Sequence, residues 1–254
     1  PHRRETLSTK YNELFNSTRP REYDGSHIRF GGMNPDITLR EHQRNAIAHV
    51  LYGGNTLLAH QVGAGKTYTF CAAAMKLRQY GLAKKIMIAV PNHLVGEWAS
   101  FFLNLYPNAK LLIAEKEDLE KNNRLRFVSQ AAMGDWDAII IAQSSFAKIG
   151  VSKERRRKKL EQEIYDIEAS IEAIAERKEL HIQVKNLERI KKSRKEKLKK
   201  LMAEETKDTL ITFEELGVDY LFIDEAHYYK NLSVFTKMNN VAGISNAASS
   251  RASR

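Results

Sequence analysis

The stretch Thr56-Leu-Leu-Ala-His-Gln-Val-Gly-Ala-Gly-Lys-Thr-Tyr68 constrains the fold more than any other part of the chain. A short apolar run, Thr56 to Ala59, reads as a buried strand. Gly63 and Gly65 then make a turn, and Lys66-Thr67 opens a helical pattern that continues through Tyr80. That order suits phosphate. Around Gly63, Ala64 and Gly65 the backbone N–H groups can close on phosphate oxygens, and the helix start adds a partial positive charge. Lys66 is placed to reach the β and γ phosphates, and the Thr67 hydroxyl to ligate Mg²⁺. His60 stands where the strict G-x-x-x-x-G-K-[ST] pattern has its first glycine.

Further apolar runs build outward from this stretch. Lys84–Val90, Leu111–Ala114, Asp135–Ala142 and Tyr220–Ile223 read as strands, with helical stretches between them. Strands alternating with helices predict βαβ crossovers and a mostly parallel sheet. In such sheets, ligand groups collect beyond the carboxyl ends of the strands. The phosphate loop, Pro91-Asn92-His93, Gln143-Ser144-Ser145 and Asp224-Glu225 all fall there. Asp224 is placed to hold Mg²⁺, and Glu225 to orient and deprotonate an attacking water. Upstream, a helix is predicted from Arg40 to Leu51 with Thr38 as N-cap. Its Gln43 is a candidate for reading adenine through paired amide contacts, with Arg40 beside the base. Trp98, on the apolar stripe of the helix after His93, reads as core.

Lys153 to Thr206 breaks this pattern, with 17 Lys/Arg against 12 Asp/Glu and no Gly or Pro. Leu160, Ile164, Ile167, Ile171 and Ile174 form a coiled-coil seam, and Val184, Leu187, Leu198 and Leu201 a sparser one. Both flanking strands must return to one sheet. Two antiparallel helices, Lys153–Ala175 and His181–Ala203, are therefore predicted, turning near Arg177–Leu180 and reaching about 35 Å. Either Arg155–Lys159 or Lys191–Lys200 is a candidate grip on nucleic acid. A protein partner at the hairpin and a plain scaffold are the competing readings.

The chain of 254 residues carries a net charge of +10 and a single cysteine, Cys71. The charge favours a polyanionic partner such as nucleic acid. One cysteine excludes an intramolecular disulfide framework and a Cys-rich zinc site. There is no run of about eighteen apolar residues and no signal peptide, so the expectation is a cytoplasmic protein without membrane contact. The start at Pro1 and the Ser/Ala-rich finish read as the edges of a piece of something longer. The expected organisation is an extended leader over 1–36, a motor domain over 37–150 and 207–240, the hairpin insertion over 151–206, and a flexible tail over 241–254.

Together these motifs resemble the first RecA-like domain of superfamily-two helicases, and more closely the Swi/Snf-type branch of double-stranded DNA translocases. Leu39-Arg40-x-x-Gln43 resembles the Q motif, Gln61 to Thr67 motif I, and Asp224-Glu225-Ala226-His227 motif II. Val90 to Val95 with Trp98 is similar to motif Ia, and Ala142 to Phe146 to motif Ib. Lys230-Asn231 is a further Swi/Snf-like detail, while the large insertion before motif II is less typical. The leader looks like the helicase portion of very large helicase–methyltransferase-like proteins of phages and conjugative elements. The resemblance implies ATP and Mg²⁺ as cofactors and duplex DNA along Pro91–His93 and Gln143–Ser145, with His227 coupling the two. It also implies hydrolysis in a cleft shared with a second RecA-like lobe. Neither motif III nor that lobe is in this sequence, so Mg-nucleotide binding with poor turnover is expected. Two rivals remain. One is a nucleotide-gated adaptor whose hairpin binds a protein. The other is a small-molecule kinase, which the water-activating Asp-Glu pair disfavours.

Overall fold

The computed structural model describes residues 2–15, 21–120, 122–175, 181–203 and 212–229. Four strands form one sheet: β1 (Ile86–Val90), β2 (Leu111–Ala114), β3 (Ala138–Ala142) and β4 (Tyr220–Ile223), in the order β2-β3-β1-β4. Every pairing is parallel, with Ile88 opposite Ile140 on one side and Phe222 on the other. The β1 run is buried throughout because it lies between β3 and β4 with helices on both faces. Strand alternation then sorts its side chains. Ile86, Ile88 and Val90 join one core with Ile47, Cys71, Ala72, Leu77, Trp98 and Phe102, contributed by α2 (Glu41–Tyr52), α3 (Lys66–Gln79) and α4 (Val95–Leu105). Met87 and Ala89 face a second core with Phe127 and Ala131 of α5 (Arg124–Met133). The result is an α/β domain of three layers around an all-parallel sheet.

Polar residues hold the amino ends of the strands. The Asp219 carboxylate accepts the Lys84 and Lys85 N–H groups at 2.7 and 2.9 Å, and Asp137 accepts that of Lys110 at 2.8 Å. Arg78 ties Asp135 and Asp137 to the end of α3. Residues 21–36 cross the α2–α3 side without regular structure. Ile28 is buried, and the Gly25 N–H donates to Asn45 Oδ1 at 2.9 Å. Gly25 lies so close to the Arg44 carbonyl that a side chain there would collide with it.

Three expectations are corrected. Thr56–Ala59 is not a strand; it is irregular, with Leu57 76% exposed. A strand needs at least one paired neighbour, and this run pairs with none of the four although β2 and β4 each leave an edge open. The leader is not extended throughout, because His2–Phe15 forms α1, an exposed helix. The α2 helix starts one residue late, with Arg40 rather than Thr38 as N-cap. Its first turn is closed by Gln43 Oε1 accepting the Arg40 N–H at 2.8 Å.

Beyond β3, a short helix α6 (Gln143–Phe146) leads into α7 (Lys153–Ala175), whose partner is α8 (His181–Ala203). Ile167 and Leu187 are buried between them beside Ile171 and Val184. Glu163 pairs with Arg194 at 2.9 Å and Glu168 with Lys191 at 2.9 Å, while Lys153 Nζ donates to the Met202 carbonyl. These partners run in opposite directions along the two helices. The expected turn at 177–180, the Lys230-Asn231 pair and the tail lie outside the described residues. A last short helix, α9 (Phe213–Leu216), precedes β4. Among the described residues no helix is long and apolar enough to cross a membrane.

Candidate functional site

The glycine loop enters α3 with Gly63 at φ 82° and Gly65 at φ 78°, the left-handed region that favours glycine. Gly65 is the N-cap of α3, so the N–H groups of Lys66 and Thr67 belong to the first turn of a helix, where intrahelical acceptors run out. Lys66 Nζ folds back over the loop and donates to the His60 and Gln61 carbonyls at 3.0 and 3.2 Å. Val62 at the tip is 99% exposed. The loop is thus open to solvent on one side and held by its own lysine on the other.

Behind the loop stand three residues of contrasting exposure. Gln43 is buried and makes both of its amide contacts inside the chain: Oε1 accepts from Arg40, and Nε2 donates to the Gly65 carbonyl at 3.0 Å. Reading adenine with both amide ends would require both bonds to open, so in this arrangement Gln43 braces the loop. Arg40 is exposed beside it. His42 hydrogen-bonds the Ala64 carbonyl at 2.9 Å and meets His60 edge-on. Burial first, then the charges of His42 and Lys66, hold His60 below its ordinary value.

The acidic pair arrives from β4. The Asp224 N–H donates to the Ala89 carbonyl at 2.9 Å, extending the β1–β4 ladder by one bond. Burial pushes the Asp224 carboxyl up, the Glu225 charge adds to this, and the Glu225 N–H, a Trp98 side-chain hydrogen bond and the Lys66 charge oppose it. Lys66 and Asp224 therefore share one electrostatic environment although 158 positions separate them. Glu225 sits at φ 50°, the single left-handed non-glycine residue among those described. Its carboxylate pairs with His227 Nδ1 at 3.0 Å, and His227 stacks on Tyr228 at the exposed outer edge.

The remaining candidates divide. Asn92, His93 and Ser144 are exposed, and Asn92 Oδ1 accepts the Ser144 N–H at 3.2 Å, joining the ends of β1 and β3. Pro91, Gln143 and Ser145 are buried. Gln143 is buried for a reason: its Nε2 donates to the Asp224 carbonyl at 2.7 Å and locks β3 to β4. The sequence reading missed two residues. Trp98 is core, as its spacing indicates, yet it also touches the acidic site. Gln143 was expected along nucleic acid, and nothing in its neighbours signals the Asp224 contact.

The group fits phosphate and a divalent cation by its donor set: a left-handed glycine pair, a lysine, a hydroxyl and one half-buried carboxylate. Among the described residues no cluster of three His, Cys, Asp or Glu could hold a metal by itself. A cation here would take Asp224 and Thr67 and complete its shell with phosphate and water, the habit of Mg²⁺.

A parallel three-layer domain gathering a Gly-Lys-Thr loop and an Asp-Glu strand end at one edge defines a class of site, not yet a family. The family model described as a probable helicase domain matches residues 50–253, and the chain belongs to that family. The match takes in the loop, the acidic pair and both long helices, and leaves Arg40 and Gln43 outside. No curated protein matches the chain.

Proposed function

We propose that this chain is the first motor lobe of an ATP-dependent DNA helicase or translocase. On this reading it binds Mg-ATP and nucleic acid, in the cytoplasm, and needs a second RecA-like lobe to complete hydrolysis. The observation that carries the reading is the packing of α3, which the glycine loop and Lys66 open, against β4, which ends in Asp224: Phe70 lies on Phe222 with ring centroids 5.2 Å apart, in a helicase-family chain. The glycine loop and Lys66 hold the phosphates, and Thr67 with Asp224 holds Mg²⁺. Bound Mg-ATP supplies the phosphoanhydride bond. Glu225 positions and takes the proton of the attacking water, and its pairing with His227 gives that carboxylate a route to the outer edge. Gln43 sits where it can relay the state of the loop to α2. The RecA-like and Swi/Snf-like assignments, and a mobile-element setting, rest on the motif resemblance. In the same reading, α7 and α8 are a coiled-coil hairpin inserted between β3 and β4.

Calorimetric titration of Mg-ADP and a non-hydrolysable ATP analogue into this chain and its Lys66→Ala variant tests the reading. Loss of a charge-assisted contact costs about 1.5–3 kcal/mol, so affinity is expected to fall roughly 10- to 150-fold. Equal binding by both proteins would refute a phosphate-holding role for Lys66.

A further inference from the structure

The two long helices carry their charge unevenly. Residues 153–159 of α7 and 191–203 of α8 together hold 13 Lys/Arg and 2 Asp/Glu, while 160–175 and 181–190 hold 2 Lys/Arg and 6 Asp/Glu. These stretches are far apart in sequence. The opposed pairing of the helices, with Lys153 against Met202 and Glu163 against Arg194, sets 153–159 beside the last turns of α8; the acidic stretch of α7 runs alongside 191–195 as far as Glu168 and lies beyond it from there. Carboxylates from neighbouring segments do reach in: Glu161, Glu163 and Glu168 from α7 and Glu214 from α9. With these and Asp166 counted, thirteen cations still face seven carboxylates among the described residues. A surplus of six charges within one end of a helix pair is more than half of the net +10 of the chain.

That end is the one joined to the body. The Ser152 N–H donates to Glu214 Oε2 at 3.2 Å, and Gly150 bridges to Thr212. Nine positions before Lys153 lies Ser144, exposed at the carboxyl end of β3 beside Asn92. Arg156, Lys192, Lys197, Lys199 and Lys200 are exposed around this collar. α8 advances about 20 Å over 191–203, a length that spans several phosphates of a duplex strand.

The geometry points to the root of the α7–α8 pair, and not its tip, as a docking surface for a nucleic-acid phosphate backbone. This rests on the reading of the chain as a lobe that works on nucleic acid. It makes a definite choice: Arg155–Lys159 and Lys191–Lys200 are one site, not alternatives, and the distal half repels the same ligand.

Fluorescence anisotropy of a short labelled DNA duplex, titrated with the full chain over a range of salt concentrations, is the test. Three variants are compared with the parent. The root variant combines Arg156→Gln, Lys197→Gln, Lys199→Gln and Lys200→Gln. The distal variant combines Lys185→Gln and Arg189→Gln. The third carries Lys197→Arg, Lys199→Arg and Lys200→Arg, which keeps the charge. Each neutralised phosphate contact lowers the slope of log K against log salt by about 0.9, so the root variant should lose up to about 3.6. The distal and arginine variants should keep the parent's slope. Circular dichroism checks that the helices persist. An unchanged slope in the root variant, or an equal loss in the distal one, would overturn the proposal. So would a parent chain that binds no duplex while still binding Mg-nucleotide; the motor reading would then stand and an acidic protein would be the better partner. Failure to bind Mg-nucleotide with duplex binding intact would leave the collar standing and remove the motor.

Discussion

The Gln43 side chain hydrogen-bonds the Gly65 carbonyl at 3.0 Å, so the buried face of α2 holds the junction between the glycine loop and α3. Gly65 admits no side chain for two separate reasons. Its φ of 78° penalises any Cβ, and a Cβ there would collide with Gln43 Nε2.

Gly65→Ala is therefore expected to destabilise the chain by about 2–3 kcal/mol, from the left-handed penalty and the displaced hydrogen bond. That amounts to roughly 5–10 °C in Tm for a chain of this size. In a Gln43→Ala background the collision is gone, so the same substitution should cost less. Thermal unfolding of the four proteins closes this double-mutant cycle. Simple additivity would show that Gln43 does not brace the loop.

Asp224 sets a pH dependence with a definite sign. Burial, then the Glu225 charge, raise its carboxyl above the ordinary 3.8, so the folded chain binds more protons than the unfolded chain just above that value. Its contribution to stability is highest below 3.8 and falls as pH rises through the raised value. Asp224→Asn removes the titration. Urea unfolding should show the variant gaining on the parent between pH 4 and pH 7.5, and Mg-nucleotide should reverse the order at pH 7.5. A gap that ignores pH would contradict the burial argument.

Glu225 stores backbone strain beside the same carboxylate. A non-glycine residue in the left-handed region costs about 1–2 kcal/mol, and such strain gathers at functional sites. Glu225→Gly and Glu225→Gln both remove the carboxylate that contacts His227, but only the glycine relieves the strain. The glycine variant should be the more stable by roughly 0.5–1 kcal/mol once its greater unfolded-state freedom is deducted. Both should lose hydrolysis in any reconstituted two-lobe motor. Equal denaturation midpoints would mean that the strain is absent in solution.

The same physics explains which elements were legible in the sequence. The runs of β1 to β4 are short, apolar and bounded by turns, and each is a paired strand. Thr56–Ala59 has the same local signature and fails because pairing is a property of neighbours, which composition does not encode. α5 carries a weak signal, with Phe127 and Ala131 its only fully buried residues, and passed unread. Of the candidate site, the position of the glycine loop at the start of α3 and of Asp224-Glu225 at the end of β4 was legible, because a glycine turn opens a helix and an apolar run stops at its first charges. The burial of Pro91, Gln143 and Ser145, expected along nucleic acid, was not legible, since the contact between Gln143 and Asp224 spans 81 positions.

The α7–α8 pair should be removable. None of its buried residues, Ile164, Ile167, Leu187 and Leu201, joins either core of the body, and Ile167 and Leu187 form a cluster of their own. The segment leaves and rejoins the body at neighbouring points: Gly150 bridges Thr212 in parallel, and the Phe213 N–H donates to the Gly150 carbonyl at 2.9 Å. Bridged strand positions lie about 4.8 Å apart, so four Gly/Ser residues suffice to link Val151 to Thr212. Among the described residues the cross-connections lost include the Glu214 contacts to Ser152 and Arg155, at the exposed rim, where such pairs contribute about 0–1 kcal/mol. The shortened chain is expected to keep its Tm within about 3 °C and its Mg-nucleotide affinity within twofold, while its duplex affinity falls and its salt slope flattens. Circular dichroism and the two titrations read all of these on one preparation. A body that no longer melts cooperatively would show that the helix pair is part of the core of the domain and not an insertion carried on it.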